Sequence, residues 1–137
     1  MDIFTNYFAV FFAAIASFAI GAFWYSPLGF GKPWMTMLGM SPEGMKDMRL
    51  SPIQAMSLGF IGGLITSYVL AHFVFLFAPG DWVGALQLGF WIWLGFQAPI
   101  LFGSFLWENR PLKLFLINGS YQLVTLLVMS LILTLWK

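Results

Sequence analysis

The chain has no cysteine and a single histidine, and charged residues make up only 8% of its 137 positions. Without cysteine there is no disulfide and no thiolate metal site. One histidine, His72, is too little to build a transition-metal centre, so neither metal nor cofactor is expected. The scarcity of charge excludes more. Soluble domains carry about a quarter charged residues, and a water-facing surface cannot be covered with so few. A net charge of +1 is too small to attract nucleic acid. No Lys or Arg precedes the first apolar run, which lacks the basic start of a secretory signal, so that run is expected to be retained as a helix.

What the chain has instead is apolar mass: 61% hydrophobic and 20% aromatic residues. About 20 apolar residues cross a ~30 Å hydrocarbon core. On that measure one transmembrane domain is expected over 1–137, with spans at about 3–25, 53–77, 82–107 and 111–136 and a long loop at 26–52. The fold class this implies is all-α, an integral membrane four-helix bundle with a short interfacial helix in the first loop. Small residues recur four apart in the first span (Ala9, Ala13, Ser17, Gly21) and in the second (Ala55, Gly59, Gly63, Ser67, Ala71). Such stripes let helix backbones approach closely, within one chain or between copies, and a homo-oligomer is expected from them.

The loop divides in two. Its first part, 26–34, holds too many Pro and Gly residues for a helix interior. The second, 41–49, begins with Ser41 as a cap and Pro42 at the first helical position, and is read as a helix lying on the membrane surface. In the third span Pro99 removes the backbone bond to Gly95, so a kink is expected there.

Four spans put both termini on one side. Lys32, Lys46, Arg49, Arg110 and Lys113 then share the other side, against Lys137 alone. The positive-inside rule places loops one and three in the cytoplasm and the termini outside.

Certain motifs are familiar. They are Ala-Ile-Gly-Ala-Phe-Trp-Tyr-Ser-Pro-Leu (19–28), Phe-Gly-Lys-Pro-Trp-Met (30–35), Gly-Phe-Trp-Ile-Trp-Leu-Gly-Phe (89–96) and Leu-Trp-Glu-Asn-Arg-Pro-Leu-Lys-Leu-Phe-Leu-Ile-Asn (106–118). With these the chain resembles the bacterial four-span membrane family catalogued as domain of unknown function 1761, over nearly its whole length. The resemblance implies a small four-span protein of a bacterial cytoplasmic membrane. It supplies no activity and no catalytic residue.

Polar residues inside the spans are the candidates for function. At about 1.5 Å of rise per residue, Gln97 and Gln122 each lie about 15 Å from the boundary marked by Trp107 and Pro111, near the midplane. Asn118, Tyr121, Gln122 and Thr125 follow the spacing i, i+3, i+4, i+7, which is one helix face. A carboxamide facing lipid costs several kcal/mol, so this face is expected to turn inward, towards Gln97 and Ser17. Asn6, His72 and Gln87 form a second polar layer near the opposite boundary. Glu108 and Arg110 flank the turn before the fourth span, either as a local ion pair or as part of a cytoplasmic binding site.

No carboxylate, Lys or Arg falls at mid-span, which argues against acid–base catalysis and against proton-coupled export. Three readings follow. The first is a non-enzymatic module binding a small amphipathic molecule or lipid at Gln97, Asn118, Tyr121 and Gln122, with Glu108 and Arg110 at its cytoplasmic edge. The second is a structural or partner-binding subunit whose polar groups only lock helices. The third is a small oligomeric transporter. Open space beside the polar face supports the first or third; direct side-chain hydrogen bonds there support the second.

Overall fold

A computed structural model describes residues 6–38 and 50–136. The expected surface helix at 41–49 lies outside the described residues. Six α-helices follow in order: α1 (Tyr7–Trp24), α2 (Gly31–Met37), α3 (Pro52–Phe77), α4 (Trp82–Ile92), α5 (Ala98–Leu106) and α6 (Leu112–Leu135). A π-helical turn, Trp93–Gln97, joins α4 to α5. Four helical stretches are long and apolar enough to cross a membrane, the third being α4, the π turn and α5 together. The protein is an all-α assembly of four such helices, integral to a membrane.

The helix starts follow from capping chemistry. The Asn6 side-chain oxygen accepts from the backbone N–H groups of Phe8 and Ala9 at 3.1 and 3.2 Å. Ser51 and Gln54 form a reciprocal capping box ahead of Pro52, and Asp81 accepts from Gly84 N–H at 2.9 Å. Each cap satisfies donors that a helix end leaves without an intrahelical partner. The α3 helix ends at Ala78, whose φ of 47° turns the chain left-handed just before Pro79 and Gly80.

The last helix is the hub. Of the apolar window of α6, 39% is buried, against 17% for the third span. It packs on α1, on α3, and on α4 and α5. The α4 contact is close because Gly89 faces it: a Cβ there would stand 3.0 Å from the Leu126 carbonyl oxygen and 3.3 Å from Leu127 Cα. Ala85, one turn earlier, is fully buried, and its carbonyl accepts from Ser130 Oγ at 2.7 Å. On the other side, Ser67 of α3 donates to the Val10 carbonyl at 2.8 Å. Here the small-residue stripes meet as expected, with Ala9, Ala13 and Ser17 buried against α3 and α6.

These contacts build a hydrophobic core of Ala9, Val10, Ala13, Leu70, Val74, Leu126, Met129 and Leu133 in the half of the bundle that holds the two chain ends. Asn6 Nδ2 donates to the Trp136 carbonyl at 3.3 Å, so the ends of the described chain touch, as an even number of spans requires.

Two local expectations need correction. Residues 31–37 are helical although Pro33 lies among them. Pro33 falls in the first turn of α2, where its missing N–H would have had no partner anyway. Before Pro99 the backbone forms a π-helical turn. The Ala98 N–H bonds to the Trp93 carbonyl, five residues back, and the resulting π turn takes up the clash that the proline ring makes with the preceding turn.

Candidate functional site

The site begins where α1 ends. Trp24 and Tyr25 close that helix, and loop one folds straight back beneath them. The Phe30 N–H bonds to the Trp24 carbonyl at 2.7 Å, and the Gly31 N–H bonds to the Ser26 carbonyl at 3.0 Å. Gly31 is buried, and a Cβ there would collide with the carbonyl oxygens of Tyr25 and Ser26, so only glycine permits this return. The fold-back seats α2 so that Trp34 meets Tyr25, ring centroids 4.8 Å apart.

Both aromatic residues at the end of α1 are also tied to α6. Trp24 Nε1 donates to the Ile117 carbonyl at 3.0 Å, and the Tyr25 hydroxyl donates to Asn118 Oδ1 at 2.7 Å. Tyr121, one turn along from Asn118, packs edge-on against Tyr25 at 5.3 Å and reaches the Ser17 carbonyl at 3.4 Å. The indole and phenol groups that amphipathic rings bring to a membrane boundary are thus consumed in fastening α1 to α6.

Above this cluster α3 stands away from α6 and leaves a cavity of about 610 Å³. Its walls are Ser17, Phe18, Gly21 and Tyr25 from α1, Trp34 from α2, Ala55, Met56, Gly59, Gly62, Gly63 and Thr66 from α3, and Tyr121, Gln122, Thr125 and Met129 from α6. The glycines of α3 create the room: a Cβ on Gly59 or Gly62 would meet no atom within 4 Å. Towards the chain ends the space stops where Gly63 and Ser67 bring α3 onto α1 and the hydrophobic core begins. Deep in the wall Thr125 is 5% exposed, and its Oγ1 is buried beside the Tyr121 hydroxyl without a hydrogen bond of good geometry.

A family model described as protein of unknown function (DUF1761) matches residues 8–134, from the first turn of α1 to the last of α6. The chain belongs to that family. No curated protein and no solved structure matches it. What this DUF1761 chain can do must therefore be read from its own geometry.

The structure brings some of the expected residues together and separates others. Tyr121, Gln122 and Thr125 line the cavity, and Asn118 sits beside it holding Tyr25. Ser17, expected opposite them, is there. Gln97 is not; it is half-buried in the π turn, which packs on α4, α5 and α6. Its depth matches that of Gln122, but depth fixes nothing about position around the bundle. Glu108 and Arg110 are exposed in the turn after α5 and line no part of the cavity.

No hydrogen bond joins Asn6, His72 and Gln87 to one another in this DUF1761 chain. Asn6 caps α1 and reaches Trp136. His72 Nδ1 lies 2.8 Å from the Tyr68 carbonyl one turn back, which puts its proton on Nδ1. Gln87 is exposed. Among the described residues no three of His, Asp and Glu gather as a metal site.

Sequence reasoning did not single out Tyr25 and Trp34 as lining residues. The signal lay in Gly29-Phe30-Gly31, whose glycines mark a chain that doubles back against the helix it has just left.

Proposed function

We propose that the protein is a non-enzymatic membrane module that holds a small amphipathic molecule or lipid in the cavity between α1, α3 and α6. The observation that carries this reading is the open space itself, about 610 Å³, with the Gln122 carboxamide in its wall. Small-molecule sites occupy roughly 300–1,000 Å³, mostly apolar with a few placed polar groups. The lining fits that description. It offers apolar surface, aromatic faces, hydroxyls and the Gln122 carboxamide, which provide hydrogen bonds and contact rather than proton transfer.

The cavity lies in the half of the bundle nearer loops one and three. In this proposal those loops, with Lys32, Arg110 and Lys113, face the cytoplasm of a bacterial cell, so the ligand is taken from the inner leaflet. The hydrophobic core around Ala13, Leu70 and Leu133 fills the bundle between the cavity and the opposite end, which supports binding over passage. A homo-oligomer, if formed, would use lipid-facing surfaces outside the cavity.

Native mass spectrometry of protein released gently from membrane tests the proposal. The expected result is a reproducible bound molecule that is lost in Gln122→Leu and in Gly59→Phe, the second adding bulk where a Cβ meets no atom within 4 Å. An oligomer or monomer free of any small molecule, unchanged by Gly59→Phe, would refute it.

A structural or partner-binding subunit is the second reading. It is favoured by the interhelical hydrogen bonds Trp24 to Ile117, Tyr25 to Asn118, Trp93 to Gly119, Ser67 to Val10 and Ser130 to Ala85, which lock all four spans. Such bonds are worth about 0.6 kcal/mol each on average. They explain the packing, but they leave the cavity without a purpose.

A further inference from the structure

We infer that the ligand, on the cavity reading just given, is an organic cation: an amphiphile whose quaternary or tertiary ammonium head sits in the cup formed by Tyr25, Trp34 and Tyr121. The rings of Tyr25 and Trp34 meet at 59°, and those of Tyr25 and Tyr121 at 73°, so they stand as inclined walls and not as a stack. All three line the cavity. Aromatic faces carry negative quadrupole density and attract a diffuse cation.

The polar ends of this cup are already engaged. The Tyr25 hydroxyl donates to Asn118, and the Tyr121 hydroxyl is directed to the Ser17 carbonyl. Those bonds fix the rings, which lowers the cost of ordering them around a ligand, and they leave neither phenol proton to greet an anion. Among the described residues no Lys or Arg lines the space. The N-terminus of α3, below Ala55 and Met56, is closed by its own Ser51–Gln54 box. A buried anion would therefore lack a partner, at high cost.

Among the described residues no carboxylate lines it either, so a small, strongly hydrated cation would lose its water to these walls without replacement. An alkylated ammonium holds water weakly and suffers least. Its apolar tail has a path past Gly59 and Gly62, both exposed and without neighbours at the Cβ position. Gln122 and Thr125 lie deeper and suit one further polar group on the ligand, such as an ester or hydroxyl.

The test compares decanoylcholine with 3,3-dimethylbutyl decanoate, its uncharged carbon isostere, by calorimetry on the full chain in a non-ionic detergent. Wild type is expected to bind the cation about tenfold or more tighter than the isostere. Trp34→Leu should erase that preference, and Trp34→Phe should keep most of it; Trp34 is half-buried on a short peripheral helix, so both variants keep the bundle. Equal binding of the two probes, abolished for both by Gly59→Phe, would overturn the cation assignment while leaving the cavity as a ligand site. A preference that survives Trp34→Leu unchanged would overturn the cup. No binding of either probe would overturn the assignment, and the retained-ligand measurement then decides whether the cavity reading falls with it.

Discussion

Two buried hydroxyls without a well-formed hydrogen bond allow a controlled test of the cavity. Thr125 and Thr134 are 5% and 3% exposed, both lie on α6, and neither Oγ1 atom makes a hydrogen bond of good geometry. Only Thr125 lines the cavity; Thr134 lies more than two turns further along, in the half that holds the chain ends. Valine has the same shape with a methyl in place of the hydroxyl. Burying an unsatisfied hydroxyl costs about 1–3 kcal/mol on mutational data. In a membrane the unfolded reference also finds partners, so the lower end applies. Thr125→Val and Thr134→Val should each therefore stabilise the ligand-free protein by about 1 kcal/mol, read by thermal or mixed-micelle unfolding. Their shared change in helix propensity cancels between them. The two variants should differ in one respect: Thr125→Val should weaken retention of the bound molecule, and Thr134→Val should leave it intact. If Thr125→Val instead destabilised the ligand-free protein by 1 kcal/mol or more, the hydroxyl would have a partner and the reasoning would fail. Equal effects of the two variants on ligand retention would equally refute it.

Other outcomes follow from the packing. Gly89→Leu should disrupt the bundle, since even a Cβ there stands 3.0 Å from the α6 backbone, whereas Gly95→Leu, with no atom within 4 Å, should be nearly neutral; overpacking of this kind costs about 1–3 kcal/mol or more, and thermal stability in detergent distinguishes the two. Asn118→Leu should cost about 1–3 kcal/mol by leaving the half-buried Tyr25 hydroxyl without its acceptor, and Tyr25→Phe in the same background should recover part of that loss. Asn6→Ala should lower stability by about 1 kcal/mol through the lost α1 cap, and faster amide exchange at Phe8 and Ala9 would confirm the cause.

Several features were legible in the residues because they depend on local period and bilayer thickness. Ser51 and Asp81 start their helices through their own side chains, a capping box in one case and a single cap in the other. The face of Tyr121, Gln122 and Thr125 was set by a spacing of three and four residues, and it turns inward as the cost of exposing a carboxamide to lipid demands. Gln97 shows the limit. Its distance along the helix was readable, but its position around the bundle depends on the π turn before Pro99 and on which face α4 and α5 offer to α6. His72 and Gln87 illustrate the same gap. They are near in sequence across a tight turn, yet α3 and α4 each pack on α6 rather than on one another.

The sequence by itself determined the class of solvent, the number of apolar helices, their starts, and the polar face of the fourth, since hydropathy, capping and helical period act within one segment. Only the tertiary structure decided that α6 is the hub, that Gly29 and Gly31 return the chain to place Trp34 beside Tyr25, and that the α3 glycines divide their labour. Gly63 and Ser67 close onto α1, while Gly59 and Gly62 stand clear and open the cavity. A stripe of small residues permits close approach along its whole length. Where approach occurs depends on the tilt of one helix against its neighbours, which is fixed by contacts far apart in the chain.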